Sequence, residues 1–508
     1  MSNNKKIALN TIVIFVRLCI VTLVSIIASR VVLDALGASD FGLYNVVGGI
    51  VILLNVVNSA MMSSTYRYLA FEIGKKEKGE PNKVFNTSII IHLCFALVLI
   101  CIGLIVGDWY INNYLNVEQD KISDALFVFH MSLITASLST IFVPFQGLQV
   151  AYEKFSINAL IDIISQTVKL GAICMLIYYG GNKLRLYSTI MLGYMILSCL
   201  LYSCYCWKNY YQVVKLRFYK DFKLMKEMLS FANWTMFGAF ANVGKSQGSA
   251  IVINFFFGTA INAAYAVAHQ IEGFIVTFAR TLNTATVPQI TKSVSIGDNK
   301  RAILLTAYIS KFTFILTILV SFPILLETDF LLSLWLKEVP DGAVTFCRLI
   351  LLANLIGCLG EGVASMINAT GKIKAYQIIV HSVMLLGLPI AFILYKLGGN
   401  PFTICSVYCI LNFVISFLRL ILLKRVVNYD MKALFSYSHL HIFYMSLPLT
   451  LIYFLYENLV RFSSSIGHIC GLCMGGVIVC LVTYVVGLTK EERYKINEFI
   501  VKRILKKL

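Results

Sequence analysis

Apolar runs of about twenty residues, separated by short polar segments, recur along the whole chain. At 1.5 Å per residue each run can cross about 30 Å of hydrocarbon as a helix, whereas a barrel strand would need only about ten residues of alternating pattern. With 58% hydrophobic and 13% charged residues among 508, the chain is too apolar for one soluble core or several. The runs predict an all-α integral membrane protein of about fourteen transmembrane helices. Their limits fall near 10–32, 41–64, 85–107, 125–147, 157–179, 186–207, 231–254, 262–284, 303–325, 344–369, 375–395, 402–423, 439–456 and 466–488. The opening "MSNNKKIALN" carries two lysines and no small-residue cleavage site, so the first span is expected to be retained and not removed as a signal peptide.

The net charge of +18 could suggest nucleic acid, but its placement argues against that partner. With a cytoplasmic N-terminus, about 29 of the 43 Lys and Arg residues fall in cytoplasmic segments and about 6 in outer ones. That asymmetry predicts that both ends of the chain are cytoplasmic. The remaining eight basic residues lie inside the apolar runs. The 14 cysteines are scattered, and the one cluster, "HICGLC" with His468, Cys470 and Cys473, sits in the last run without a second Cys/His pair. Packing thiols are expected there, with no metal site.

Two gapless matches point to an internal duplication. "LGASDFGLYNVVGGI" at 36–50 aligns with "FGTAINAAYAVAHQI" at 257–271, setting Gly37 on Gly258, Tyr44 on Tyr265, Val46 on Val267 and Ile50 on Ile271. "AYEKF" at 151–155 aligns with "ATGKI" at 369–373, setting Ala151 on Ala369 and Lys154 on Lys372. The offsets, 221 and 218, are nearly equal, and six spans per copy make the copies parallel repeats related by an axis along the membrane normal. The expected organisation is an N-terminal six-helix bundle (1–207), a basic connector (208–230), a second bundle (231–424), two appended helices (425–488) and a basic amphipathic tail (489–508). In the connector Phe222, Met225 and Leu229 recur at helical spacing among lysines; in the tail Ile496, Ile500, Ile504 and Leu508 do so, and both read as segments anchored on the membrane surface.

The run "ASRVVLDALGASDFGLYNVVGGI" at 28–50 resembles the first hairpin of the polysaccharide exporters, flippases for lipid-linked oligosaccharides within the multidrug/oligosaccharidyl-lipid/polysaccharide exporter superfamily. An arginine a few residues before Leu-Gly, a short turn and an aromatic-Gly-Leu-Tyr carry the likeness, and the fourteen spans, duplicated halves and basic connector extend it over the chain. This sequence departs from the commoner pattern by two residues inserted between Arg30 and Leu36-Gly37, with Asp34 among them. The resemblance implies a V-shaped pair of bundles in a bacterial cytoplasmic (inner) membrane, working outward in O-antigen, lipopolysaccharide or capsule synthesis. In the hairpin itself the glycines allow a tight turn and close helix approach, while Ser39 and Asp40 are expected to cap the next helix.

Ionisable groups inside the spans are the candidate site, because a charge in hydrocarbon is costly and normally faces a cavity or a partner. The cations are Arg17, Lys169, Lys245, Arg280 and Lys311; the groups that could take up a coupling ion are Asp162, His269, Glu272 and Glu361. Lys245 lies at mid-depth on a polar stripe with Gly238, Asn242 and Ser249. Asp162 and Lys169 share a face with Ser165 and Gln166, and His269 and Glu272 are i, i+3 neighbours. Glu361 sits in the small-residue stretch "GCLGEGVAS". Arg17, Arg280 and Lys311 lie near span ends, where long side chains also snorkel to headgroups.

The excess of cations fits an anionic cargo, and the resemblance implies that this is a polyprenyl-pyrophosphate glycan held in a hydrated cavity while two halves rock about it, with H⁺ or Na⁺ as the coupling ion and no cofactor or metal. Expected partners are the lipid-linked oligosaccharide, membrane lipids, and a polymerase and glycosyltransferases of the same synthesis, with the chain acting as a monomer. A multidrug antiporter would prefer carboxylates and aromatics for organic cations. A membrane glycosyltransferase or polymerase would need a catalytic constellation, usually on a long water-facing loop, and no catalytic residues are identified.

Overall fold

The computed structural model describes the backbone of residues 3–113, 119–336, 338–427, 429, 431–460, 462 and 464–500. Among these residues the chain is almost wholly helical and contains no strand, as hydrocarbon demands: a helix satisfies its backbone N–H and C=O groups within one segment. The elements divide into two compact units, Met1–Ala239 with Thr291–Gly297, and Phe240–Ile290 with Asp298–Leu508.

The first unit holds α1 (Asn3–Gly74), α2 (Pro81–Asn113), α3 (Ile122–Ala151), α4 (Phe155–Cys174), α5 (Lys183–Asn209), the short α6 (Tyr211–Val214) and the start of α7 (Phe222–Ser295). Here α3 is the central helix, packed against α1, α2 and α5, and α4 closes onto α1 and α5. The connector does not lie free. Val213 and Val214 are buried in a cluster with Leu69, Phe85 and Leu148, and Met225 packs partly on the same cluster. Phe222 and Leu229, by contrast, remain exposed. Asp221 caps α7 by accepting from the Leu224 N–H at 2.9 Å, and it pairs with Lys83 at 2.8 Å; together these hold its carboxyl below the usual carboxylate range.

The second unit continues α7 and adds α8 (Asn299–Leu326), α9 (Thr328–Trp335), α10 (Ala343–Cys358), α11 (Glu361–Thr370), α12 (Lys374–Leu385), α13 (Gly387–Lys396), α14 (Thr403–Val426), the short α15 (Met431–Leu434), α16 (Leu440–Leu459), α17 (Ser465–Val482) and α18 (Lys490–Ile500). α14 packs against α10 to α13, and α8 against α10, α11 and α17. Phe314, Ile318 and Phe322 of α8 share one apolar cluster with Met445 and Leu449 of α16 and Val479 of α17, so the two appended helices belong to the core of this unit. Of the expected tail, Ile496 and Ile500 have side chains outside the described residues, and Ile504 and Leu508 lie outside them altogether.

Ten helices among the described residues are long and apolar enough to cross a membrane, and the pair α10 and α11, bent by 46°, makes an eleventh if it forms one span. The other three expected spans, 41–64, 231–254 and 262–284, lie in the second part of α1 and within α7. Both long helices break at a single glycine. Gly37 has φ 78° and ψ 168°, and Gly258 has φ 79° and ψ −176°. That region is nearly closed to any residue bearing a Cβ. The two positions aligned at an offset of 221 thus adopt one conformation. The second alignment behaves alike: Glu153 has φ 60° and its counterpart Gly371 has φ 80°.

Candidate functional site

Charged side chains inside the spans gather into three groups. In the first unit, Arg17 of α1 pairs with Asp162 of α4 at 2.5 Å, and Tyr202 of α5 donates to the same carboxylate at 2.9 Å. Asp162 therefore binds a partner on another helix and not Lys169, two turns further along its own. Lys169 has no carboxylate within 4.0 Å among the described residues; its ammonium lies 4.9 Å from the centre of the Tyr194 ring, whose hydroxyl accepts from Gln166.

A second group forms in the other unit around α7. Lys245 also lacks a carboxylate within 4.0 Å among the described residues, and its ammonium stands 4.6 Å from the Tyr408 ring of α14. Ser249, one turn on, donates to the Lys245 carbonyl at 2.6 Å. His269 Nδ1 and the Glu272 carboxylate are 3.0 Å apart, with Tyr265 edge-on to the imidazole. Asn354 of α10 stands beside Glu272, which also lies within the electrostatic reach of Lys245. The structure thus gathers Lys245, His269 and Glu272, and adds Tyr408, Asn354 and Tyr265, which the pattern of charges alone did not reveal.

The third group surrounds Glu361, the first residue of α11 at the bend of the α10–α11 pair. One carboxylate oxygen lies 3.5 Å from Nη1 of Arg419 on α14, and the other accepts from Asn283 of α7 at 3.2 Å. The small residues flanking Glu361 now have a reason. A Cβ on Gly362 would fall 2.0 Å from the Thr306 carbonyl of α8, so only glycine lets those backbones touch, while one on Gly360 would meet the Arg419 side chain at 2.5 Å. Arg419 went unremarked in the sequence because it lies four residues from the end of its expected span, where a snorkelling arginine looks the same.

The remaining candidates are placed differently. Lys311 is fully enclosed, and both carboxylate oxygens of Glu492 on α18 hold its ammonium, at 2.6 and 2.7 Å. Arg280 has its side chain outside the described residues, as does Ser39. Asp40 gives its carboxylate to Lys121 at 2.6 Å. His468 of the Cys-rich cluster hydrogen-bonds the Glu327 carboxylate through Nδ1, 2.6 Å away, stacks on Phe330, and shares that carboxylate with the Tyr456 hydroxyl.

Comparison with known proteins supplies the context for this arrangement. A family model described as polysaccharide biosynthesis protein matches residues 7–294. No curated protein matches the chain. Among solved structures, a MOP superfamily transporter from Pyrococcus furiosus, described by the reverse polarity of its binding pocket and a different function suggested by it, superposes with a TM-score of 0.72 at 14% identity, covering 84% of this chain and 96% of that one. An outward-facing multidrug resistance MATE family transporter of the same superfamily gives the same values. The MATE transporter ClbM in complex with Rb⁺ gives a TM-score of 0.71 at 15% identity, covering 85% and 96%. At these identities the likeness is one of fold.

Proposed function

The chain belongs to the polysaccharide biosynthesis protein family and is a multi-pass membrane protein of the exporter superfamily, and from that premise we propose that it is a flippase for lipid-linked oligosaccharide. The cargo is a polyprenyl-pyrophosphate glycan repeat unit, moved outward across a bacterial cytoplasmic membrane by alternating access. One observation carries this reading. Each unit holds an intramembrane lysine, Lys169 or Lys245, that no carboxylate within 4.0 Å neutralises among the described residues and that rests on a tyrosine ring. An ammonium kept in hydrocarbon without a carboxylate in direct contact is costly, and an anionic cargo is a partner that would offset that cost. The pyrophosphate of a lipid-linked glycan supplies such a charge, with oxygens that accept charge-assisted hydrogen bonds.

In this reading Lys245 and Lys169 meet the cargo and Arg17 and Arg280 add positive charge to its path, while Lys311, expected as a further cavity cation, is engaged by Glu492 of the tail helix. Glu272 with His269, Glu361 and Asp162 are the groups that would exchange H⁺ or Na⁺. The chain performs no covalent chemistry, needs no cofactor and works as a monomer alongside the glycosyltransferases and polymerase of its pathway. Both termini face the cytoplasm.

The fold likeness to multidrug transporters, together with the Glu272 and Asp162 carboxylates beside aromatic rings, favours a second reading as an organic-cation antiporter. Deletion of the gene separates the two. A flippase defect leaves a lipid-linked glycan intermediate accumulating on the cytoplasmic face of the membrane; an antiporter defect leaves that pool unchanged and raises sensitivity to cationic drugs.

A further inference from the structure

Arg419 is held loosely for an arginine so nearly enclosed. Its side chain is 15% exposed, yet its contact with Glu361 is single and 3.5 Å long, whereas other ion pairs of the same unit, Lys311 with Glu492 and Arg348 with Glu457, close to 2.6 and 2.7 Å. Its Nε is buried with no hydrogen-bond partner. The guanidinium lies over Tyr376 of α12, 5.9 Å from the ring centre, and the Tyr376 hydroxyl is within its electrostatic reach. A guanidinium fork matches two oxygens of a phosphate or carboxylate, so Arg419 carries unused capacity for an oxyanion. Its present partner is the more open of the two: the Glu361 side chain is 37% exposed. Glu361 also has alternative support, from Asn283 and from its place at the first turn of α11, where free N–H groups and the helix dipole favour a negative charge. Asn283 in turn has its own buried oxygen unpartnered.

We propose that Arg419 is an anion-binding residue for the phosphate group of the cargo, and that Glu361 acts as its internal place-holder, giving up the guanidinium when it takes a proton. This rests on the flippase reading above and extends it to a residue and a linkage outside that reading. Two anions, the Glu361 carboxylate and an incoming phosphate, compete for one guanidinium. Protonation of Glu361 removes the competing charge and converts its oxygen into a donor toward the phosphate or Asn283 Oδ1, so anion binding and proton uptake rise together. No bond other than the carboxylate O–H forms, and its proton comes from water. The titratable and charged groups around the pair are few: Arg419 on α14, Tyr376 and His381 on α12, Cys358 on α10 and His439 before α16. Lys311 on α8 is engaged by Glu492, and α7 presents the amide of Asn283, with the Arg280 side chain outside the described residues.

The test is calorimetric binding of inorganic pyrophosphate, and separately of polyprenyl pyrophosphate without glycan, to the full chain in nanodiscs. Buffers of different ionisation enthalpy report the protons taken up. Arg419→Gln should weaken both probes by more than about tenfold, with Arg419→Lys intermediate because it keeps charge but not the fork. Glu361→Gln should bind about tenfold more tightly than wild type near neutral pH and lose about one proton of uptake. Melting temperatures confirm that each variant is folded. Equal affinity in folded Arg419→Gln, or unchanged proton uptake in Glu361→Gln, overturns the proposal while leaving the flippase reading intact. Wild-type protein that binds neither probe but binds a cationic dye overturns the flippase reading, and this proposal with it. Binding of polyprenyl pyrophosphate but not of inorganic pyrophosphate, lost in Arg419→Gln, supports Arg419 and assigns the anion to the lipid-borne source.

Discussion

A charge within an apolar run is visible in sequence, but its partner is not. Lys245 stands out because it lies at mid-depth on a polar stripe with Gly238, Asn242 and Ser249, whereas Tyr408, the ring on which it rests, lies on a different helix of the same unit. Likewise the i, i+7 spacing of Asp162 and Lys169 suggests a pair, yet two turns of helix separate them by about 10 Å, and Arg17 from another helix takes the carboxylate. Lys311 read as a cavity cation or snorkelling residue, and its enclosure by Glu492, 181 positions away, follows only from the packing of α18. Replacing Lys245 by alanine should lower glycan flipping by about 10- to 100-fold, the range set by loss of one charge-assisted contact of about 1.5–3 kcal/mol. Membrane abundance should stay near wild type, with Lys245→Arg partly active. Unimpaired transport by the alanine variant, measured against abundance, would remove Lys245 from the cargo path.

At the scale of elements the duplication was legible and its meaning was geometric. Gly37 and Gly258 matched by identity alone; their shared conformation shows that each marks the break between two helices that meet with no intervening loop. Glu153 and Gly371 did not match by identity, yet both hold positive φ, because the backbone there turns the same way in each copy whatever the side chain. The tail was legible as amphipathic and basic but not as a structural clasp. Its first turn is a capping box, in which the Glu492 carboxylate accepts from the Thr489 N–H at 2.8 Å and the Thr489 hydroxyl from the Glu492 N–H at 3.3 Å. The same carboxylate neutralises Lys311. Glu492→Gln keeps the cap but leaves a buried ammonium unpaired, which should cost about 3–5 kcal/mol. Thermal unfolding in detergent should show a clear fall in midpoint, largely recovered in Lys311→Met/Glu492→Gln. A double variant no more stable than Glu492→Gln would contradict a role for the pair.

For the whole molecule, composition and the spacing of apolar runs were enough to read an all-helical membrane protein, since hydrocarbon admits so few other solutions. They could not show that 425–488 joins the second unit, because the apolar faces of α16 and α17 that pack on α8 look the same as faces turned to lipid. Orientation is the most direct whole-chain prediction. Reporters fused after Lys226 and after Lys507 should both be cytoplasmic, and either one found outside would overturn the arrangement of six, six and two spans. The central claim is that the cargo is an anionic lipid-linked glycan. It is tested by reconstituting the purified chain in proteoliposomes with a labelled polyprenyl-pyrophosphate oligosaccharide and following its exposure on the opposite leaflet to an impermeant glycosidase. Protein-dependent flipping well above empty vesicles, lost in Lys245→Ala, is the expected result; wild-type vesicles that leave the glycan in place while accumulating an organic cation would contradict an anionic cargo.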